Sequence, residues 1–479
     1  MSATTPDSHG ADTQAASGRG WAVILAAGKG TRMRSKLAKV LHPVLGRPMV
    51  AWPAEAAQAA GLSVVLVVNH QEDAVRRAMT GRGVGFARQE VPRGTGDAVA
   101  AGVELLPESG TVVVLNGDGP LIRSRTITRL LDVHAASGDR VTVVSMKVDD
   151  PGSYGRIVRD EQDRPLRIVE ASDASAQELA IDEVNTGLYA MDIAWLRSVL
   201  PNLVPHPPKG EIYLTDCLEL AARGDGAGAL VLGDPSEALG VNSQVERSVA
   251  QRILQARIVD GHMRRGVAFE DPLNVTVEPG VTLEADCVIE RGVVLRGASV
   301  VGEDAIIGAH SVLESARVAS GAVVLPHSIL EQAVVGEGAK IGPFARLRLG
   351  TVIGRGCKVG NFVETKKAIL DDGAKVSHLS YIGDARVGAG ANVGAGTITC
   401  NYDGFSKQRT DIGAGSFVGS NTALVAPVKI GEGAIVGAGS VIVRDVPADA
   451  IAVARGEQRV KEGAAGRFRS RRKTKKAGK

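Results

Sequence analysis

The stretch Val281-Thr-Leu-Glu-Ala-Asp-Cys-Val-Ile-Glu-Arg-Gly-Val-Val-Leu-Arg-Gly-Ala-Ser-Val-Val-Gly-Glu-Asp-Ala-Ile-Ile-Gly308 brings an aliphatic side chain back at every sixth position, at Leu283, Ile289, Leu295, Val301 and Ile307. The step continues to Leu313. It returns in Val335, Ile341, Leu347, Ile353 and Val359, and again in Ile412, Val418, Leu424, Ile430, Val436 and Ile442. A period of six matches neither a helical face nor the alternation of a flat strand. It is the pattern of a solenoid in which each hexad makes one flat side of a coil.

Hexapeptide repeats of this kind form left-handed parallel β-helices. The handedness is taken from the repeat class, because it runs against the right-handed crossover rule. With ~18 residues per three-sided coil, residues 271–460 hold ~10 coils, a prism ~45–50 Å long at the usual strand spacing. Two places interrupt the period, Lys366–Ser377 and the polar insertion Asn401-Tyr-Asp-Gly-Phe-Ser-Lys-Gln-Arg409. Irregular loops on a rigid scaffold are where binding residues concentrate.

Upstream, the pattern changes. Residues 21–242 alternate apolar runs (Ala22–Leu25, Val64–Val68, Val112–Leu115, Val141–Ser145) with helical stretches such as Pro53–Ala60 and Thr126–Ala136. This predicts an α/β domain, Rossmann-like, with a mostly parallel sheet covered by helices and ligands at the carboxyl ends of the strands. Residues 243–270, with Val249, Ile253 and Ile258 at helical spacing, read as a linking helix. Residues 1–20 read as a flexible leader, and the basic residues 461–479 as a disordered tail.

The chain has 479 residues, enough for two or more cores. A net charge of +3 argues against a nucleic-acid-binding body, and scarce aromatics argue against base stacking. No secretory signal or membrane span is visible. Cys217, Cys287, Cys357 and Cys400 lie far apart, as reduced thiols of a cytoplasmic protein do.

Strand Ala22–Leu25 runs into Ala26-Ala-Gly-Lys-Gly-Thr-Arg-Met33. This is neither the Walker loop nor G-x-G-x-x-G. Its glycines can bring backbone amides close to a phosphate, with Lys29 and Arg32 neutralising charge. A tight strand–helix turn with solvated charges would use the same residues. Lys39 follows, and Leu115-Asn-Gly-Asp118 ends a strand on a carboxylate suited to magnesium. Gly94-Thr-Gly96, Tyr154-Gly-Arg156, Asn185-Thr-Gly187 and Gly240-Val-Asn242 each mark a turn.

This set resembles the sugar-nucleotide pyrophosphorylases. Within them it is most similar to the bifunctional bacterial family that joins N-acetylglucosamine-1-phosphate uridylyltransferase (GT-A-like) to glucosamine-1-phosphate acetyltransferase. The resemblance spans nearly the whole chain and implies UDP-N-acetylglucosamine synthesis for cell-envelope polymers. It implies that Leu25, Ala26, Ala27 and Gly28 frame the nucleotide, with Asn116 and Gly117 close by. Arg32 and Lys39 would stabilise phosphate charge, and Gln89, Gly94 and Thr95 would read uracil. Asp118 and Asn242 would hold Mg2+. Gly155, Glu170 and Asn185 would grip the sugar beside Glu211, Tyr213 and Thr215. Asn116 stands where the family sometimes has an aromatic residue, and Ala38 where it often has proline.

In the solenoid, Gly360-Asn-Phe-Val-Glu-Thr-Lys-Lys367, Ser377-His-Leu-Ser-Tyr-Ile-Gly-Asp384 and Gly394-Ala-Gly-Thr-Ile-Thr-Cys-Asn-Tyr-Asp-Gly404 resemble the acetyltransferase half of that family. Acylating an amine requires a proton acceptor, for which His378 is the candidate. The resemblance implies that Arg348, Lys366, Tyr381 and Asn392 bind the sugar phosphate. Asn401 and Tyr402 would position the sugar or thioester, and Ala395, Ser420, Ala438 and Arg455 would contact acetyl-CoA. It also implies a homotrimer. Leu349 replaces a frequent proline. Cys400 could serve as a ping-pong nucleophile, but direct attack by the amine needs none. Two other readings are a nucleotidyltransferase whose β-helix only oligomerises, and a non-catalytic regulatory subunit.

Overall fold

The computed structural model describes residues 19–207, 210–224 and 226–477 and divides into two compact units, Met1–Gln255 and Ala256–Lys479. Most of the expected leader, residues 1–18, lies outside the described residues. Arg19 already belongs to the first unit, where its amide donates to Gly61 O at 3.0 Å.

The first unit is built on a nine-stranded sheet. Its strands are β1 (Gly20–Leu25), β2 (Leu62–Val68), β3 (Val84–Arg88), β4 (Thr111–Asn116), β5 (Val141–Lys147), β6 (Arg156–Arg159), β7 (Pro165–Val169), β8 (Glu183–Asp192) and β9 (Ala227–Val231). The main order is β9-β5-β8-β4-β1-β2-β3. Strands β4, β1, β2 and β3 run parallel, and β8 is antiparallel to both β4 and β5. Period-two alternation sends side chains to both faces, and both are buried. Ala22, Ile24, Leu66 and Leu115 pack under helices α1 (Ala51–Ala59) and α2 (Ser124–Ser137). Val23, Val65, Val67 and Val114 pack with the helices Ile193–Val199 and Asp216–Ala222. Buried on both sides, the sheet fixes the carboxyl ends of β1 and β4, and the loops leaving them inherit that rigidity.

The helix expected over residues 243–270 spans Gln244–Met263. Its buried apolar positions are Ala250, Leu254 and Val259, with His262 also buried, so the stripe lies beside the expected Val249, Ile253 and Ile258. The first solenoid strand, Ala268–Phe269, comes earlier than residue 271 and pairs with Val288–Ile289, because Val267 already packs in the solenoid core.

The second unit is a parallel β-helix. One eleven-stranded sheet forms one side, and a seventeen-stranded sheet wraps the others. The hexad residues point inward, with Ile289, Leu295, Val301, Ile307, Leu313 and Leu347 all fully buried. Two expectations fail here. The segment Lys366–Ser377 is no irregular loop. Glu364–Leu370 is a strand in register with Tyr381–Val387, and it hides from the hexad pattern because Thr365 takes an inward place held by Leu347 and Ile382 in the neighbouring coils, and the next inward aliphatic, Leu370, comes one residue early. The tail is not without structure either, since Ala464–Ala477 is a helix. Alanine, arginine and lysine are strong helix formers, and the Arg472 guanidinium lies over the Phe468 ring one turn back. The second interruption is as expected. Lys375 pairs with Asn392, but Asn392 pairs with Phe417, so this coil alone carries the Asn401–Arg409 excursion.

Candidate active sites

The chemistry of the first unit gathers where β1 and β4 end. The Gly117 amide donates to Leu25 O at 2.9 Å and locks the two strand ends together. A β-carbon at Gly117 would lie 2.8 Å from that same oxygen, so only glycine fits. Ala26 and Gly117 therefore shape the site from behind and do not line its cavities. At Gly28, by contrast, a β-carbon would meet nothing within 4 Å, which leaves an open approach to the backbone.

Lys39 is the hub. Its ammonium is ion-paired with Asp118 and donates to Asn242 Oδ1 at 3.0 Å, and Arg32 donates to the same oxygen at 2.9 Å. Asn242 is held in turn by Glu246, whose carboxylate accepts from its amide at 2.7 Å. Ser243 and Glu246 form a capping arrangement at the start of helix Gln244–Met263, with Ser243 Oγ accepting from the Glu246 amide at 3.2 Å. The Ser-x-x-Glu spacing was a legible capping signal.

Two hard oxygens, from Asp118 and Asn242, thus face one cationic point. That donor set suits magnesium, which takes one or two protein oxygens and completes its shell with water and phosphate. No cluster of three or more His, Cys, Asp or Glu among the described residues offers an all-protein cage.

Around this hub lie adjoining cavities, and Asn116 borders each of them. One of 370 Å³ is lined by Leu25, Ala27, Gly28, Lys39, Gln89, Gly94 and Thr95. Gln89 is buried, and its amide nitrogen donates to Gly94 O at 3.2 Å and to Asp97 at 2.9 Å. Another, of 330 Å³, is lined by Glu170, Asn185, Glu211, Tyr213 and Thr215. Gly155 sits behind this second cavity, its carbonyl accepting from the Asn185 amide at 2.8 Å. Burial, helped by Asp173 and Asp216, pushes the Glu170 carboxyl above its ordinary range, while His206 pulls it back. Tyr189 and Ser172 also line this cavity and were not foreseen. Tyr189 is anchored by an Asn185 Nδ2 donation of 2.8 Å, a contact between residues of one bulged strand that spacing alone does not reveal.

On the solenoid, one face of adjacent coils carries Arg348, Glu364, Lys366 and Tyr381. Arg348 pairs with Glu364 at 2.7 Å, and Glu364 is in register with Tyr381. The charges of Lys407 and Arg348 hold the Lys366 ammonium below the usual lysine range, with Asp384 opposing. Lys407 was missed because it lies in the excursion, which folds back through the Tyr402–Lys407 bridge. Asn401 is buried and donates its amide to Asp384, while Tyr402 is exposed and donates to Gly404 O at 2.6 Å.

His378 and Asn392 lie on the other, eleven-stranded sheet. His378 Nδ1 is 2.6 Å from Asn361 Oδ1, directly across the strand pair. An amide oxygen can only accept, so Nδ1 donates this bond and Nε2 takes no part in it. Ala395, Ser420, Ala438 and Arg455 follow one another down successive coils. The Asn421 amide donates to Ala395 O at 2.7 Å, the Gly439 amide to Ser420 O at 2.8 Å, and Arg455 to Ala438 O at 2.7 Å. Cys400 is half-buried within a coil strand.

A family model for MobA-like NTP transferase domains matches residues 22–229. Models for bacterial transferase hexapeptides and for the hexapeptide repeat of succinyl-transferase match residues 409–444 and 273–296. The protein named Bifunctional protein GlmU in Pelobacter propionicus is 44% identical over 457 residues, covering 95% of this chain and 99% of that relative. The one in Trichlorobacter lovleyi is 45% identical over 446 residues, covering 92% and 97%. That in Sorangium cellulosum is 44% identical over 459 residues, covering 94% and 97%. With a nucleotidyltransferase fold closed around Lys39, Asp118 and Asn242, and hexapeptide-repeat transferase models matching later in the sequence, the chain belongs to the bifunctional GlmU family.

Proposed function

We propose that the second unit acetylates glucosamine-1-phosphate from acetyl-CoA and that the first unit then joins the product to UTP, releasing pyrophosphate and UDP-N-acetylglucosamine. The observation that carries the first half is the convergence of Lys39, Arg32, Asp118 and Asn242 beside two adjoining cavities. The nucleotide lies over Gly28 with its base against Gln89, Gly94 and Thr95, and the sugar lies against Glu170, Asn185 and Tyr213. A sugar-phosphate oxygen attacks the α-phosphorus in line, and the bond to pyrophosphate breaks. Lys39 and Arg32 offset the charge that builds on the phosphates, and the two cavities supply alignment. Magnesium held by Asp118 and Asn242 would add Lewis-acid neutralisation of the phosphate oxygens.

In the second unit, Arg348 and Lys366 clamp the sugar phosphate. The amine attacks the thioester carbon, His378 Nε2 accepts the amine proton, and the C–S bond breaks to release coenzyme A. Cys400 takes no part. In a single chain Arg348 and Lys366 lie on one sheet while His378 and Asn392 lie on another, which favours completion by a neighbouring copy in a homotrimer. An exposed corner ladder supports that contact, with His327 stacked on Phe344 at 4.9 Å and Phe344 on Phe362 at 5.4 Å. No described helix is long and apolar enough to cross a membrane; a cytoplasmic location is part of the same proposal.

The test is a mass-spectrometric time course with glucosamine-1-phosphate, acetyl-CoA, UTP and magnesium. Transient N-acetylglucosamine-1-phosphate followed by the nucleotide sugar is expected. Nucleotide-sugar formation only from supplied N-acetylglucosamine-1-phosphate would remove the acetyltransferase half.

A further inference from the structure

The segment Glu211–Thr215 forms one wall of the sugar cavity, with Glu211, Tyr213 and Thr215 turned into it. One edge is clamped from the nucleotide side. The Ile212 amide donates to Arg93 O at 2.6 Å, the Gly96 amide to Ile212 O at 2.9 Å, and the Leu214 amide to Thr95 Oγ1 at 3.0 Å. These bonds fix the backbone at Ile212 and Leu214, and the Tyr213 hydroxyl is hydrogen-bonded to Glu211, but neither holds the face of the ring.

The ring is held by a residue outside the cavity. His206 stacks on Tyr213 with centroids 4.6 Å apart and planes inclined by 30°. Its Nε2 lies 2.8 Å from Asp216 Oδ2. Asp216 opens the helix Asp216–Ala222 immediately after Thr215, so this contact ties the imidazole to a fixed element. The backbone is tied as well, because the His206 amide donates to Glu211 O at 2.8 Å. On its far side His206 borders a separate cavity of 270 Å³, with Leu203, Leu220 and Arg223. Without the imidazole, the outer side of Tyr213 would open toward that space.

We propose that His206, oriented by Asp216, is a positioning residue for the acceptor-sugar cavity, fixing the Tyr213 ring against the bound sugar. This rests on the assignment of that cavity to N-acetylglucosamine-1-phosphate. His206 touches neither substrate nor the reacting phosphorus. Its removal therefore weakens sugar binding through Tyr213 and leaves the charge machinery at Lys39 alone. Offset stacking contributes modestly, so the expected effect is also modest.

The experiment uses the full chain and steady-state uridylyl transfer. His206→Ala is expected to raise KM for N-acetylglucosamine-1-phosphate about five- to tenfold, with kcat and the KM for UTP within about twofold of the unaltered chain. His206→Phe keeps the stack without the Asp216 contact and should recover only part of the loss. In a Tyr213→Ala background, His206→Ala should add almost nothing. An unchanged sugar KM in His206→Ala overturns the proposal, as does a loss shared equally by UTP KM and kcat, or full additivity with Tyr213→Ala. If the unaltered chain does not use N-acetylglucosamine-1-phosphate at all, the cavity assignment falls instead, a result distinguishable from each of these.

Discussion

Two residues of the acetyl site show how local contacts set chemistry. Asn361 Oδ1, 2.6 Å from His378 Nδ1, selects the tautomer that frees Nε2. Asn361→Ala lets the ring rotate and change tautomer, so acetyl-transfer kcat should fall about tenfold with little change in KM. His378→Ala should cost a hundredfold or more, as loss of a general base does. Equal effects of Asn361→Ala on kcat and KM would point to general damage instead. Lys366 gives a pH prediction. Repulsion from Lys407 and Arg348 lowers its proton affinity, so its charge burdens the fold below the depressed value, and that burden lifts as pH rises through it. A bound phosphate favours the charged form. KM for glucosamine-1-phosphate should therefore climb as pH rises through the same window, and Lys366→Met should show a raised KM without that climb. The roles proposed for His378 and Lys366 could be read from residue type. The contacts of Asn361 and Lys407 could not, since one lies across a strand pair and the other in a folded-back loop.

At the scale of elements, turns carry the specificity. Gly94 has φ +118°, and a β-carbon there would lie 2.8 Å from Ile212 N and 3.1 Å from Ile212 C. The Ile212 amide already donates to Arg93 O and its carbonyl oxygen accepts from the Gly96 amide, so this backbone cannot yield. Gly94→Ala should cost roughly 1–3 kcal/mol of local strain. It should raise the UTP KM about tenfold while leaving acetyl transfer untouched, as parallel assays of both half-reactions would show. The hexad period was readable because each inward residue must fill one place in a narrow prism. Reading failed at Thr365, where a polar residue occupies an inward place. It failed again at Ala464–Ala477, where charge was given more weight than helix propensity. The strands β1, β2, β4 and β5 were plain in sequence because burial on both faces demands unbroken aliphatic runs. The short hairpin β6–β7 offers no such run, and Gly155 and Glu170, which flank it, are tied to the site by contacts formed only in the fold.

At the scale of the molecule, the two units have separate cores. The solenoid aliphatics form one continuous cluster, and the two faces of the first sheet form two others. The described residues that line the proposed nucleotide and sugar cavities belong to the first unit. The half-reactions should therefore be separable by single substitutions. Lys39→Ala removes the cation that joins Asp118 to Asn242, and should lower uridylyl transfer about a hundredfold or more while acetyl transfer proceeds at its normal rate. His378→Ala should do the reverse. Mixing the two variants after separate purification then asks whether the intermediate must travel inside one particle. Free diffusion predicts that an equimolar mixture forms UDP-N-acetylglucosamine from glucosamine-1-phosphate, after a lag set by accumulation of N-acetylglucosamine-1-phosphate. Added phosphatase specific for the free sugar phosphate should suppress that product in the mixture and in the unaltered enzyme alike. If the unaltered enzyme resists the phosphatase while the mixture does not, the two sites hand the intermediate over directly, and the independence argued from their separate cores fails.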